Sequence, residues 1–413
     1  MPIGRTMMRQ GRRPASVSGG AIDVPVIALL ALNELMAFDG DSITAGAFGP
    51  TYIDSAIMAM GGRLSYRGAT AYNTAISGAT AAALSDPAHT SETMATAPKL
   101  VTGLAGTNDL ANTSATPAAI FGSIKTMWRA YLDAGAKAVV WSTVLPRGGS
   151  NALTTARETD RLALNTLIRN FASDPTLAGY ASKIRVVDNE GAIVPGTDTL
   201  DGLHPNWRGS RKLGIAMGAA VASISPTTTL DGAHLLVGNL FPDKVFAGSG
   251  GFAGFNNNVT GTVPAQFYCT ADTGLAVALS ATADAAGYPA IKLTVTGTTT
   301  QASVVVFGGN SVAVNGVAGD RFEQSWYAKL ANTQALRSFY LHSDNTATNS
   351  PNFSAPSQVM DGVPTIEGFL RTYVSPALTG NVASDFPVAT LFFGVGTAAA
   401  ELTLSQPRLR KVT

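Results

Sequence analysis

The residues most suited to chemistry in this chain lie at 38–44, where two aspartates flank Gly40 and a serine follows. The apolar run that precedes them is short enough to form a buried parallel strand. Ser42 would then lie at the carboxyl edge of a sheet, where open α/β folds bind ligands. Its backbone N–H would lie near a helix N-terminus and could stabilise an anion. The alternative is that this segment only caps a surface helix.

Later segments supply the other groups that a nucleophilic serine needs. Hydrolysis of an ester requires a base, a group that orients the base, and hydrogen-bond donors for the developing oxyanion. Asp201 lies three residues before His204, so it could hold Nδ1–H of the imidazole and leave Nε2 free as the base. Gly78 could present a backbone N–H in a tight turn, and Asn108 could present a side-chain amide. Each follows its own predicted strand, so we expect all of them at one edge of the sheet.

The pattern Asp-x-x-His occurs three times, and its context separates the copies. The copies are Asp86/His89, Asp201/His204 and Asp231/His234. Only the second lies between the last predicted strand of the α/β region and the last helix. We expect the other two to be structural.

Several neighbouring residues have two interpretations. Asp41 and Asp109 could cap helices, or could brace the loops of the site, which we favour. Arg147 is either a solvated side chain or a contact for an anionic substrate. Trp207 either packs the helix that it begins or forms a platform for a sugar ring. Cys269 has no catalytic partner nearby in the sequence, and we expect it to be buried and inert.

The elements that must position these residues alternate between strands and helices from residue 35 to residue 224. Five such repeats predict a parallel sheet with helices on both faces. The predicted strands are 35–38, 72–76, 100–104, 138–143 and 184–187.

The pattern changes at residues 225–229, Ser-Pro-Thr-Thr-Thr. Beyond them, short alternating runs separated by Gly, Asn and Thr predict an antiparallel β-sandwich of jelly-roll type. We therefore divide the chain into a partly flexible leader at 1–34, an α/β domain at 35–226 and a β-sandwich at 227–413.

Between residues 35 and 224 the chain resembles the SGNH (GDSL-type) hydrolase family. The resemblance rests on four ordered blocks: Gly40-Asp41-Ser42, the turn at Gly78, Gly106-Thr107-Asn108-Asp109 and Asp201-Gly202-Leu203-His204. It implies a flavodoxin-like fold, with Ser42 as nucleophile, His204 as base and Asp201 orienting the base. It also implies an oxyanion hole made by the N–H groups of Ser42 and Gly78 and the amide of Asn108.

Composition excludes several other classes. A formal net charge of +1 gives no case for nucleic acid. The single cysteine excludes an intramolecular disulfide, and together with only four histidines in no ligand-like spacing it argues against a structural zinc site. The apolar run at 24–32 is too short to span a membrane, and Asn33-Glu34 follows it instead of a signal-peptide cleavage site. We expect no cofactor and no membrane insertion.

The expected activity is that of a serine esterase that removes O-acetyl groups from a carbohydrate or polysaccharide. The appended β domain favours a glycan by analogy, and a phage tail protein acting on a host surface glycan fits too. That version implies an extracellular or virion location and a homo-oligomer, with a trimer as one form. One alternative is a lipase or thioesterase on acyl chains, which a hydrophobic lid would favour. The other is a glycan-binding virion protein without catalysis.

Overall fold

The structure is a computed structural model of the 413-residue chain. It describes residues 29–31, 34–48, 51–60, 63–64, 66, 70–226, 239–241, 246–253, 258–343, 345–346, 353–354, 365–371, 375 and 377–412. Most of the predicted leader, part of the segment 225–229 at which the pattern changes, and the pair Asp231/His234 lie outside the described residues.

A parallel sheet of four strands forms the centre of the N-terminal region, in the order β1-β2-β3-β4. The strands are β1 Met36–Gly40, β2 Leu100–Leu104, β3 Ala138–Ser142 and β4 Ile184–Val187. Every residue of β1, β2 and β3 is buried, as expected for a parallel sheet covered on both faces.

Helices cover the two faces of this sheet, and the predicted α/β architecture is confirmed. They are α1 Ser42–Ala45, α2 Ile53–Ala59, α3 Ala81–Leu84, α4 Pro87–Met94, α5 Thr107–Asn112, α6 Pro117–Asp133, α7 Thr155–Arg169 and α8 Trp207–Ala222. Phe38 and Val140 pack with α2 and α8 in one apolar cluster. Val101 and Val139 pack with α6 and α7 in a second cluster. Side chains of the strands thus alternate between two helical layers.

The prediction of five strands was wrong by one. Residues 72–76 make a single parallel bridge, between Asn73 and Phe38, at the free edge of β1. The side chain of Asn73 accepts a hydrogen bond from the N–H of Ala75 at 3.4 Å. Such a local bond competes with strand pairing, and the turn at Gly78 follows at once. The segment therefore stays beside β1 without becoming a strand.

Two glycines let α8 lie close against α2. A Cβ atom on Gly214 would lie 2.4 Å from Cβ of Ser55, and one on Gly218 would lie 2.4 Å from Cβ of Ala59. Both distances are below van der Waals contact, so the spacing of these helices depends on the missing side chains.

The described part of the C-terminal region is all β, as predicted. Its strands are β5 Phe252–Ala253, β6 Val259–Thr260, β7 Phe267–Ala271, β8 Leu275–Ala283, β9 Pro289–Thr299, β10 Ser303–Gly309, β11 Val312–Gly316, β12 Arg321–Gln334, β13 Leu336–His342, β14 Phe353–Ser354, β15 Ile366–Arg371, β16 Val382–Asp385, β17 Val388–Phe393 and β18 Gly396–Val412. Two six-stranded sheets, β14-β13-β17-β10-β7-β5 and β15-β12-β18-β9-β8-β6, accompany the pair β11-β16.

Apolar side chains fill the space between the two large sheets. Phe267 of β7 meets Trp326 of β12 edge to face, with ring centroids 6.2 Å apart. Cys269 lies in the same core with no exposed surface, and burial raises the pKa of its thiol to about 12. The expectation that this cysteine is buried is confirmed, whereas its inertness and the jelly-roll connectivity stay predictions.

The two regions contact each other through α8 and α2. Trp207 packs against the core of the β region, and Nη2 of Arg211 donates to the carbonyl of Thr365 at 2.8 Å. Helix α2 lies against β15. Among the described residues, no helix combines the length and apolarity needed to cross a bilayer.

Candidate active site

Ser42 stands at the sharp turn between β1 and α1. Gly40 makes this turn with φ of +142°, and a Cβ atom there would lie 2.4 Å from the carbonyl oxygen of Leu104. Only glycine fits that conformation and that space. Asp41 then caps α1 by accepting the N–H of Ile43 at 3.0 Å. Ser42 is the first residue of the helix and is almost completely buried.

The three residues predicted to act together do lie together. Oγ of Ser42 is 2.9 Å from Nε2 of His204, and Nδ1 of His204 is 2.8 Å from Oδ2 of Asp201. Because an ionised carboxylate only accepts, Nδ1 carries the proton and Nε2 accepts the serine hydroxyl. The chain Asp201–His204–Ser42 can therefore remove a proton from the serine.

Asp201 uses its second oxygen to fix its own loop. Oδ1 accepts the backbone N–H groups of Leu203 at 2.9 Å and His204 at 2.8 Å. Although burial acts to raise the pKa of Asp201, the hydrogen bonds from the His204 ring and these two N–H groups hold it below its usual range. The carboxylate therefore stays ionised, as the orienting partner of a histidine base must.

A neighbouring loop holds the segment that carries Asp201 and His204. Gly202 has φ of +85°, and a Cβ atom there would lie 2.0 Å from the carbonyl oxygen of Gly148. The N–H of Gly148 donates a hydrogen bond to the carbonyl of Gly202 at 2.8 Å. Asn151 donates from Nδ2 to the carbonyl of Asp201 at 2.9 Å. The loop after β3 thus fixes the loop that follows β4.

The three predicted oxyanion donors come from three loops at the same edge of the sheet. The segment before Gly78 is joined to the serine turn, because Ile76 donates its N–H to the carbonyl of Gly40 at 2.8 Å. Gly78 itself turns the chain with φ of +80°. The N–H groups of Ser42 and Gly78 donate to none of the described residues, so both remain available to an oxyanion.

Two adjacent side chains clasp the Gly78 loop to the start of α5. Nδ2 of Asn108 donates to the carbonyl of Ala79 at 2.9 Å, which leaves its second hydrogen for the site. Oδ2 of Asp109 accepts the N–H of Ala81 at 2.8 Å. Asp109 therefore braces a site loop, as expected, and fixes the position from which Asn108 works.

Comparison with known proteins agrees with this arrangement. Residues 38–212 match the model of the GDSL-like Lipase/Acylhydrolase family. These residues form a GDSL-like acylhydrolase domain. No curated protein matches the chain.

Several solved structures are similar to part of the chain. A carbohydrate esterase family 3 protein from Talaromyces cellulolyticus is 19% identical, with 45% of this chain and 94% of that one covered and a TM-score of 0.37. The family 3 carbohydrate esterase of Clostridium thermocellum is 16% identical, covering 47% and 100%, with a TM-score of 0.36. The aryl esterase of M. smegmatis is 19% identical, covering 46% and 100%, with a TM-score of 0.35.

A buried carboxyl group lies directly beside Ser42, the predicted nucleophile. Burial raises the pKa of Asp41 to about 7, with added repulsion from Asp109 and Asp39, while the Ile43 N–H and the charge of Arg147 act in the opposite direction. Oδ2 of Asp41 has no hydrogen-bond partner among the described residues. Asp41 thus caps α1, so the loop-bracing role that we favoured for it was wrong.

Arg147 braces loops of the domain. Its Nε donates to the carbonyl of Asn151 at 2.8 Å and its Nη1 to the carbonyl of Thr107 at 3.2 Å. Burial lowers the pKa of the guanidinium, and the charges of Asp201 and Asp41 oppose that shift. The side chain is therefore not the solvated arginine of our first interpretation, and contact with an anionic substrate stays a prediction.

Trp207 is the first residue of α8 and takes part in packing. Its ring packs against the β region and lies 5.1 Å below the guanidinium of Arg208. With Arg208, Arg211 and Lys212 it also lines a cleft of about 600 Å³. The helix-packing interpretation is confirmed, and a role with sugar stays a prediction.

Phe48 is a site residue that the sequence did not single out. Its ring lies against the imidazole of His204, with centroids 4.3 Å apart and planes inclined by 38°. The only sequence signal is a large aromatic residue soon after Ser42. Nothing in its local pattern indicates that it meets a histidine far along the chain.

A second unpredicted group lies behind the serine turn. Asp39 has no exposed surface and accepts from Nε2 of His89 at 2.8 Å and from the hydroxyl of Tyr131. The hydrogen bond with Asp39 raises the pKa of His89. Asp86, the other member of that Asp-x-x-His copy, caps α4 through the N–H of Ala88. This copy is structural, but its histidine pairs with β1 instead of Asp86.

Among the described residues, the remaining titratable groups form no second centre. His342, on β13, lies 3.0 Å from Oγ1 of Thr390 in the β region. Within the described part of the chain, no three His, Cys, Asp or Glu side chains gather as a metal ion would require.

Proposed function

We propose that the GDSL-like domain is a serine esterase that removes O-acetyl groups from carbohydrate. The observation that carries the proposal is the continuous chain Asp201–His204–Ser42, with contacts of 2.8 and 2.9 Å. A serine esterase needs such a series of hydrogen-bonded side chains next to oxyanion donors, with all of these groups held in fixed positions.

The first half of the reaction forms an acetyl-enzyme. Oγ of Ser42 attacks the ester carbonyl while Nε2 of His204 takes its proton, and Asp201 stabilises the imidazolium. The N–H groups of Ser42 and Gly78 and the amide of Asn108 bind the oxyanion. The tetrahedral intermediate then collapses, and Nε2 gives its proton to the oxygen of the leaving alcohol.

The second half returns the enzyme to its starting state. Water gives a proton to His204 and attacks the acetyl carbonyl, and the same donors bind the second oxyanion. Collapse releases acetate, and the proton on Nε2 returns to Ser42. No group outside the residues named is needed.

Two features support a glycan over a lipid. The β region packs directly against α8, the helix that follows His204. It could therefore hold a polymer near the candidate active site. Trp207 and Arg208 lie at the start of the same helix. An aromatic ring can pack on the apolar face of a sugar ring, and a guanidinium can donate to its hydroxyl groups. We extend the proposal to a glycan at a host surface, bound by a homo-oligomer such as the trimer of a phage tail protein.

Activity on p-nitrophenyl esters tests the chemistry, and release of acetate from acetylated polysaccharide tests the substrate. We expect turnover of the acetate ester to exceed that of the palmitate ester, and acetate release from polymer. Ser42→Ala is the control, and it should lower the turnover of p-nitrophenyl acetate and the release of acetate from polysaccharide by about 10⁴-fold or more. Preference for palmitate would favour a lipase, and no turnover of any ester would favour a binding protein.

A further inference from the structure

Phe48 occupies an unusual position for an exposed aromatic residue. It is 61% exposed, and an isolated exposed apolar side chain needs no explanation by itself. The location of Phe48 does need an explanation, because its ring lies against the His204 imidazole at a centroid distance of 4.3 Å. His204 is only 8% exposed, whereas the Phe48 ring that lies against it is largely open to solvent.

The reaction fixes where the leaving alcohol must lie relative to this ring. Nε2 of His204 protonates the leaving oxygen, so that oxygen must come within about 3 Å of it. The carbon atoms attached to the oxygen therefore lie next to the imidazole. Since the Phe48 ring lies against that imidazole at an inclination of 38°, a bulky alcohol leaving from Ser42 has the exposed surface of Phe48 as its neighbour.

We propose that Phe48 forms a leaving-group subsite that selects cyclic alcohols, in particular pyranose rings. This inference rests on the proposed esterase function and names the part of the substrate that the site recognises. The face of a phenyl ring is electron-rich and attracts polarised C–H groups. A pyranose presents a flat set of such C–H groups, whereas a short linear alcohol presents too few to cover the ring.

A pair of acetates with the same acyl group tests the subsite in the full-length protein. We would compare a methyl pyranoside monoacetate with ethyl acetate, because both use the same nucleophile, oxyanion donors and acetyl-enzyme. In Phe48→Ala we expect kcat/KM for the pyranoside ester to fall by about five- to tenfold, the value of one aromatic contact. The loss should lie mainly in KM, since the ring is held in both the ground and the transition state.

Ethyl acetate gives the internal control. Its kcat/KM should change by less than about twofold in Phe48→Ala, because the chemical groups remain. Phe48→Trp should keep the pyranoside ester as a good substrate. Val395→Ala, which removes a similarly exposed apolar group in the β region (63% exposed), should change neither substrate.

Three outcomes would overturn the proposal. Equal losses on both acetates would mean that Phe48 only holds His204, and no loss on either would mean that the alcohol does not touch it. Failure of the wild-type protein to hydrolyse either acetate would refute the esterase function, and the subsite with it. As a check independent of turnover, Ser42→Ala should bind the pyranoside ester in titration calorimetry, and adding Phe48→Ala should weaken that binding.

Discussion

At the scale of single residues, Asp201 divides its two oxygens between the histidine and the backbone. In Asp201→Asn the amide oxygen can still accept the backbone N–H groups of Leu203 and His204. The amide nitrogen then faces Nδ1, so the imidazole must carry its proton on Nε2 and cannot accept one from Ser42. We expect kcat to fall by about 10⁴-fold without loss of folding.

Rates with p-nitrophenyl acetate and a thermal unfolding curve check this prediction. Asp86→Asn is the matched control, because Asp86 belongs to the same sequence pattern but only caps α4. It should retain full activity. A kcat for Asp201→Asn within about tenfold of wild type would show that Asp201 does not orient the base.

Asn108 tests the oxyanion hole. One hydrogen of its amide is committed to the Ala79 carbonyl, and the other is assigned to the oxyanion. Asn108→Ala should lower kcat by about 10²–10³-fold and leave KM nearly unchanged, because an oxyanion exists only after attack. Steady-state kinetics would check this, with the exposed Asn112 of the same helix changed to Ala as control. A loss confined to KM would assign Asn108 to ground-state binding.

Asp41 makes stability depend on pH in a predictable direction. In the unfolded chain its pKa is near 3.8, whereas burial raises it to about 7 in the folded protein. Between these values the folded state holds a proton that the unfolded state has lost. The contribution of Asp41 to stability is therefore complete below pH 3.8 and is lost as pH rises through about 7.

The substitution Asp41→Asn removes this dependence and keeps an oxygen for the Ile43 N–H. Relative to wild type, we expect Asp41→Asn to gain stability between pH 5 and pH 8, by at most about 3 kcal/mol. Urea unfolding at the two pH values would measure it. A difference between the two proteins that does not change with pH would show that Asp41 does not titrate as a buried group.

At the scale of elements, the contact between α2 and α8 depends on two opposed effects at Gly214. Alanine favours a helix over glycine by about 1 kcal/mol. However, the new Cβ would lie 2.4 Å from Ser55 Cβ and 2.6 Å from the backbone N of Ala56. Overpacking of this kind costs about 1–3 kcal/mol, so the clash should win. We expect Gly214→Ala to lower the free energy of unfolding.

Gly122 provides a control in which only the first effect operates. It lies inside α6, and a Cβ atom there would have no neighbour within 4 Å. Gly122→Ala should therefore raise the free energy of unfolding, by up to about 1 kcal/mol. Chemical denaturation of both variants would compare them. Stabilisation by Gly214→Ala would mean that the helices separate at little cost.

The elements also show what the sequence could and could not predict. β1 to β4 and the residues at their carboxyl ends were predictable, because apolar runs and the side chains that follow them are local features. The prediction of a strand at 72–76 was wrong because the side chain of Asn73 accepts the N–H of Ala75, and this local hydrogen bond competes with strand pairing. Phe48 over His204 and His89 beside Asp39 were not predictable, since both contacts join segments distant in sequence and depend on packing.

At the scale of the whole molecule, the candidate chemistry and the β region are separable. The hydrogen bonds of Ser42, Asn108, Asp201 and His204 all join residues within the GDSL-like domain. The contacts with the β region lie elsewhere, at Trp207, Arg211 and α2. Removing the β region would thus expose an apolar surface without breaking a hydrogen bond of the site.

A protein that ends at Pro226 tests this separation. We expect it to melt at a lower temperature, because Trp207 and part of α2 lose their cover, yet to retain turnover of p-nitrophenyl acetate. Activity on acetylated polysaccharide should fall by about tenfold or more, because the β region no longer raises the local concentration of glycan. Thermal unfolding and the two rate assays would measure these effects. Loss of activity on the small ester in a folded protein would mean that the β region shapes the site, and unchanged activity on polymer would show that it does not hold the substrate.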